Sequence, residues 1–309
     1  MRGDAYAWRI ERLLLCVALL LPAIATADPV AERVRFDSLD RRDGAPVRID
    51  ALLHVPEGVA PQGGRAAVIA LHGCGGMFSA AKGREDQLSE RHAAQARALV
   101  AAGYAVLFPD SFGSRGRREI CTIASSERTI RPAQRRLDAL GALKWLGQQA
   151  DIDPSRIALL GWSHGGSTTL AAVNGGDPRV AAFREAPDAP PFFRTAIAFY
   201  PGCSASLRDA RWRPAVPLAI LIGADDDWTP AAPCEALGAR GRDAKWPLEV
   251  VVYPEAHHGF DAPSGTVRLR RDVPNGARPG EGVHVGPNPK ARAEANAKVA
   301  AILREALAR

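Results

Sequence analysis

Three stretches of this chain carry residue types that together suit nucleophilic chemistry. Gly161-Trp162-Ser163-His164-Gly165 fits the pattern G-x-S-x-G. A serine hydroxyl is a poor nucleophile until a base takes its proton, and the base works better when a carboxylate orients it. Both partner types follow in chain order, acid before histidine, as Asp225-Asp226-Asp227 and His257-His258-Gly259-Phe260. The whole chain has only 7 His, so a histidine at that place is informative. Upstream, Leu71-His72-Gly73-Cys74-Gly75-Gly76 is a Gly-rich turn whose backbone N–H groups can approach a developing oxyanion. The N–H groups of Cys74 and of His164, the residue after the serine, are the expected donors. His72 reads as a packing and hydrogen-bonding residue. Residue types alone leave alternatives. Ser163 could be a helix N-cap, and the triple Asp a calcium site or a solvated turn. The three aspartates with His257 and His258 also suit a metal-dependent hydrolase, which would leave Ser163 unexplained.

A scaffold must bring these distant stretches together. Arg156–Leu160 is a short apolar run that leads straight into the serine motif, and Gly165–Val173 is a small-residue helix leading out. This is the strand–turn–helix elbow that pushes a serine hydroxyl out at the carboxyl end of a sheet. The flanking glycines are needed because a side chain there would strike the neighbouring strand and helix. Ala66–Leu71, Tyr104–Pro109, Thr195–Tyr200, Pro217–Ile222 and Leu248–Tyr253 are further continuous apolar runs, the mark of strands buried on both faces. The Gly-rich turn, the aspartates and the histidines each follow one of them. Val34–Ser38 and Val47–Val55 read as an opening antiparallel pair. Helical patterns cover Glu85–Ala102, Arg131–Gln149 and Ala291–Leu307. Alternating strands and helices predict an α/β fold with one mostly parallel sheet covered by helices on both faces. Ala181–Arg194 and Pro263–Pro289 are long for plain connections and read as lids, binding loops or surface excursions.

Composition narrows the class further. The chain has 309 residues, 47% of them hydrophobic and 24% charged, which excludes a disordered chain, a collagen-like fibre and a multispan membrane protein. Its formal charge of +6 is mild and scattered, apart from runs such as Arg115, Arg117, Arg118 and Arg268, Arg270, Arg271. The dense basic stripe of a nucleic-acid binder is missing, so no nucleic-acid partner is expected. The arginines of Ser111–Arg118 hint at an anionic substrate, against the plainer reading of a solvated basic turn. Arg2, Arg9 and Arg12 precede the apolar run Leu13–Leu21, then Pro22 and Ala25-Thr26-Ala27. That order describes a secretory signal peptide over residues 1–27, cut after Ala27. The apolar run is short of the ~20 residues of a membrane span. The prediction is a secreted or periplasmic domain over 28–309, with no stable membrane insertion. Cys16 leaves with the leader. Cys74, Cys121, Cys203 and Cys234 remain, either as four buried thiols or, as an oxidising compartment permits, as two disulfides among three possible pairings. No Cys-x-x-Cys spacing exists, and no metal or cofactor is expected.

The motifs His72-Gly73-Cys74-Gly75-Gly76, Gly161-Trp162-Ser163-His164-Gly165-Gly166, Gly223-Ala224-Asp225-Asp226-Asp227-Trp228-Thr229-Pro230 and Tyr253-Pro254-Glu255-Ala256-His257-His258-Gly259-Phe260 together resemble the α/β-hydrolase superfamily, and within it the dienelactone hydrolase family. The resemblance runs from about Arg65 to the C-terminus. It implies an acid four residues before the proline, Asp226, and a base directly before Gly-Phe, His258. Enzymes of the family that open dienelactones use a cysteine nucleophile. Here Ser163 stands at that position, so the implied activity is that of a serine hydrolase cleaving a small-molecule ester or lactone. A peptidase or amidase, and a catalytically silent binding relative, are the other readings. The fold it implies brings the loop of Cys74 near that of Cys121 and the loop of Cys203 near that of Cys234, giving those two pairings. The Pro263–Pro289 segment departs from the short form of the family.

Overall fold

The computed structural model describes residues 30–308; the leader assigned to residues 1–27 lies outside them. An opening hairpin, β1 (Ala31–Arg42) and β2 (Ala45–His54), turns at Asp43-Gly44 and pairs antiparallel. Then come β3 (Arg65–Leu71), α1 (Glu90–Ala101), β4 (Ala105–Pro109), α2 (Pro132–Leu146), β5 (Ile152–Trp162), α3 (His164–Ala172), α4 (Pro178–Glu185), β6 (Thr195–Phe199), α5 (Ser204–Arg208), β7 (Leu218–Gly223), α6 (Ala232–Asp243) and β8 (Leu248–Tyr253). Two short strands, β9 (Arg268–Arg270) and β10 (Val283–Val285), pair with each other before α7 (Pro289–Ala306).

The central sheet has the strand order β1-β2-β4-β3-β5-β6-β7-β8. Strands β3 to β8 run parallel and β2 joins β4 antiparallel. Every residue of β3, β4, β6 and β7 is buried, as their unbroken apolar runs require. Burying each Val, Leu or Ile contributes roughly 1.5–3 kcal/mol, which fixes the register that the site depends on. Leu71 pairs with Gly161, so the Gly-rich turn leaves the sheet beside the serine turn. Gly223 pairs with Tyr253, so the aspartate and histidine loops also leave side by side. All four loops emerge at the carboxyl edge of parallel strands, where open α/β sheets place ligands.

Some elements differ from the sequence pattern. The first helix starts at Glu90 rather than Glu85. Residues 85–89 are drawn off into pairing with 77–79: Ser79 N–H donates to the Gln87 carbonyl and Ser89 N–H to that of Met77. Helix α6 lacks a clear apolar stripe because its packing face carries Gly238 and Gly241, which lie against Val250 and Leu248 of β8. The first five residues of Ala181–Arg194 complete α4, which is capped by the Asp177 carboxylate on the N–H groups of Arg179 and Val180. Pro263–Pro289 folds as a strap carrying the β9–β10 hairpin. Disulfides join Cys74 to Cys121 and Cys203 to Cys234, the two pairings the fold resemblance implies.

Candidate active site

Ser163 sits between the last residue of β5 and the first of α3 with φ 53° and ψ −114°, a strained conformation for a side-chain-bearing residue. Its own N–H donates to the Phe199 carbonyl, which ties the elbow to β6. Tight packing explains the following glycine: a Cβ on Gly165 would collide with the Leu71 and His72 carbonyls. The strain turns the serine hydroxyl out of the sheet edge.

Of the two histidines, the structure sets His258 against Ser163. His258 Nε2 lies 2.9 Å from Ser163 Oγ, and Nδ1 lies 2.9 Å from Asp226 Oδ2. Gly259, at φ +74°, takes a left-handed turn that aims the ring. The ring is packed between Tyr200 and Trp228, at centroid distances of 4.5 and 4.7 Å. Asp226 is 3% exposed, and its Oδ1 accepts the N–H groups of Trp228 and Thr229 at 2.9 and 2.7 Å. Thr229 Oγ1 stands 3.0 Å from Asp226 Oδ2 and from the Tyr200 carbonyl. The carboxylate is thereby held with Oδ1 on two backbone N–H groups and Oδ2 turned to the imidazole.

The neighbouring aspartates and the other histidine serve different contacts. His257 Nδ1 donates to the Asp225 carbonyl at 2.9 Å. Asp227 accepts the His284 N–H at 2.8 Å and pairs with its Nδ1 at 2.7 Å, and its own carbonyl accepts the Ala277 N–H. Asp227 thus fastens the strap. Gly286 N–H adds a bond to the His258 carbonyl. Among the described residues, no group of three or more His, Cys, Asp or Glu side chains is arranged to hold a metal ion.

The Gly-rich turn lies beside the elbow, with the Gly73 Cα face against Ser163 and the Trp162 carbonyl. Its shape is fixed from three sides. Gly76 N–H closes the turn on the Gly73 carbonyl, Ile120 N–H donates to the Cys74 carbonyl, and the disulfide to Cys121 covers it. His72 is fully buried, donates through Nδ1 to the Gly73 carbonyl at 2.8 Å and packs edge-on against Phe112. Burial, aided by the Arg135 charge, holds its pKa well below the usual histidine range, so it is a neutral packing residue. His164 is also buried and neutral for the same reasons, its backbone N–H standing at the start of α3 next to Ser163.

Sequence patterns missed a buried brace behind this arrangement. Asp261, 2% exposed, accepts Tyr200 Oη–H at 2.6 Å and Trp162 Nε1–H at 2.9 Å and pairs with Arg91 at 3.0 Å. It joins the ends of β5 and β6 to α1. Burial and the nearby negative charge push the Tyr200 hydroxyl well above its usual pKa, so it stays a donor. The signal was present in the run His258-Gly259-Phe260-Asp261, one residue beyond the motif.

A cleft of about 520 Å³ opens over Ser163 and His258, with walls from Gly73–Gly75, Trp228 and the strap. Its cationic side differs from the sequence hint. Arg115 is committed to Asp138 and Asp40, and Arg118 to the carbonyls of Ser79 and Glu85. The cleft is instead lined by Arg91, Arg268 and Arg270. Arg91 is paired with Asp261 and Arg270 with Asp272, while the Arg270 guanidinium lies 5.4 Å over the Trp228 ring.

Sheet order, elbow and site loops together define an α/β-hydrolase. Against known families, residues 50–307 match the dienelactone hydrolase family, and the chain belongs to it. The solved structures include Thermogutta terrifontis esterase 2 phosphoramylated by tabun, 18% identical, with 93% of this chain and 99% of that one covered at TM-score 0.58. They also include a dienelactone hydrolase-like promiscuous phosphotriesterase, P91, from metagenomic libraries, 22% identical, with 89% and 98% covered at TM-score 0.59. No curated protein matches the chain.

Proposed function

We propose that this protein is a serine hydrolase cleaving a small-molecule ester or lactone, with Ser163, His258 and Asp226 as its triad. The observation carrying this reading is the unbroken chain from Asp226 through His258 to Ser163, each link 2.9 Å, ending on a strained serine at the floor of the cleft. His258 Nε2 takes the Ser163 proton as Oγ attacks the carbonyl carbon. Asp226 stabilises the resulting imidazolium and keeps the ring oriented. The tetrahedral oxyanion is received by the N–H groups of Cys74 and His164. His258 returns its proton to the leaving alcohol, leaving an acyl group on Ser163. A water deprotonated by His258 then attacks the acyl carbon and releases the acid.

The cleft also supports a preference. Arg268 and Arg270 project from the strap into it, and Arg270 already has Asp272. An ester bearing a carboxylate distant from the scissile bond would meet Arg268. Export from the cytoplasm is the setting we infer, from the two disulfides together with the leader pattern at residues 1–27. A panel of esters and lactones varied in acyl and alcohol parts, run with wild type and Ser163→Ala, tests the reading. Turnover should vanish in the variant, by on the order of 10⁶-fold. Equal turnover by both proteins contradicts it.

A further inference from the structure

Helix α2 carries a residue that the chemistry above does not use. Arg135 is fully buried in the second turn of that helix. Among the described residues, it makes no ion pair within 4.0 Å. Asp138, one turn on, is already taken by Arg115 and by the Ser38 hydroxyl. A cation near the N-terminal end of a helix also opposes the helix dipole. A buried, unpaired charge is costly, so local rules are broken here, as they often are where function intervenes.

The direct contact of Arg135 is at the elbow. Its Nη1–H donates to His164 Nδ1 at 2.9 Å. Its guanidinium carbon stands 4.9 Å from the Phe112 ring centroid, and Phe112 packs against both His72 and His164. His72 in turn donates to the Gly73 carbonyl. Arg135, Phe112, His72 and His164 therefore form one buried layer behind the two proposed oxyanion donors. Burial lowers the Arg135 pKa only to about 9, so the group is charged at neutral pH. Both histidines of the layer are neutral, which leaves Arg135 as its cation.

We propose that Arg135 is a positioning residue for the oxyanion hole. Its guanidinium holds His164 from behind, fixes the backbone N–H that follows Ser163, and keeps a positive charge in the dry layer behind the developing oxyanion. The inference rests on the serine-hydrolase reading. Preorganised donors stabilise an oxyanion far better in a water-excluded site, and a small misplacement of one is costly to rate. Binding of the uncharged ester ground state needs neither the cation nor the aligned N–H.

The test compares wild type with Arg135→Met, Arg135→Lys, His164→Leu and the double variant Arg135→Met/His164→Leu. Thermal unfolding confirms that each is folded. Two rates are read: kcat and KM on p-nitrophenyl acetate, and phosphonylation by a fluorophosphonate, whose phosphoryl oxygen must enter the same hole. Arg135→Met should lower kcat and phosphonylation each about 30-fold with KM within about twofold, given that one lost oxyanion donor costs about 10²–10³. Arg135→Lys should lose less. The double variant should lose no more than the worse single one, because both act through one contact. A folded Arg135→Met with wild-type rates overturns the proposal, and so do losses that multiply in the double variant. If Arg135→Met does not fold, Arg135→Lys, His164→Leu and their double variant complete the same cycle, with the same non-additivity expected and simple multiplication contradicting it. A wild type that neither labels nor hydrolyses ester fails the hydrolase reading itself, and this inference with it.

Discussion

Two neighbouring aspartates each hold a histidine. Asp226 meets His258 at 2.9 Å with side chains 0% and 5% exposed, whereas Asp227 meets His284 at 2.7 Å with side chains 24% and 44% exposed. By distance alone the second pair is the closer one. Surroundings separate them. Asp226 is anchored by two backbone N–H groups, and the far nitrogen of its histidine faces a serine hydroxyl. Asp227 instead binds the backbone and side chain of one strap residue, and the His284 ring lies beside His257 rather than a serine hydroxyl. Under the proposed function, identical residue types become a proton relay in one place and a surface fastener in the other. The determining factors are burial and what stands on the far side of the ring. An exposed pair of the second kind is worth about 0–1 kcal/mol, while in the proposed triad the buried pair orients a reacting group.

Substitution within the two pairs should separate them most sharply. His258→Gln should cost on the order of 10⁶ in kcat and Asp226→Asn about 10⁴. His284→Gln and Asp227→Asn should stay within about tenfold, acting mainly on KM through a loosened strap. Steady-state kinetics on one ester settles the matter, and losses of equal size at Asp226 and Asp227 would erase the distinction.

The disulfides offer a second contrast of the same kind. Cys74–Cys121 closes 47 residues and Cys203–Cys234 closes 31, so each should contribute roughly 2–4 kcal/mol to stability. Only the first borders the oxyanion turn. Replacing Cys74 and Cys121 by Ala should lower kcat about tenfold besides lowering Tm. Replacing Cys203 and Cys234 should lower Tm with kcat nearly unchanged. Denaturation curves and kinetics on both double variants check this.

The smallest effect belongs to the strap. Arg268→Ala should raise KM about fivefold for a carboxylate-bearing ester and leave a neutral ester unaffected. The difference should shrink toward 1 M salt, because the arginine is exposed and screening there acts over about 3 Å. An equal rise for both esters would assign Arg268 to shaping the strap rather than to recognising charge.

Much of this was legible in the residues, and the boundary has a physical cause. The β strands showed themselves because burial on both faces leaves unbroken apolar runs such as Val68–Leu71 and Ala196–Phe199. The elbow was legible because a strained serine needs small neighbours, and those neighbours sit next to it in sequence. Asp226 and His258 stood out from their twins only through the spacing to Pro230 and Gly259. Helix α6 escaped because Gly238 and Gly241 weaken the apolar pattern while serving close packing on β8. The Asp261 brace and the Arg135 contact escaped for another reason. Each joins side chains far apart in sequence, Trp162 and Asp261 at a separation of 99 and Arg135 and His164 at 29, and no local spacing records such a meeting. The span of the strap stood out as a long segment, but its two strands escaped because they are three residues each.

The most direct measurement of the central claim is intact-mass and peptide mapping after exposure to a fluorophosphonate. A single adduct is expected, located on Ser163, formed rapidly by wild type and by Asp227→Asn, slowly by Asp226→Asn, and not at all by Ser163→Ala. No adduct on wild type, or an adduct that persists in Ser163→Ala, would contradict it.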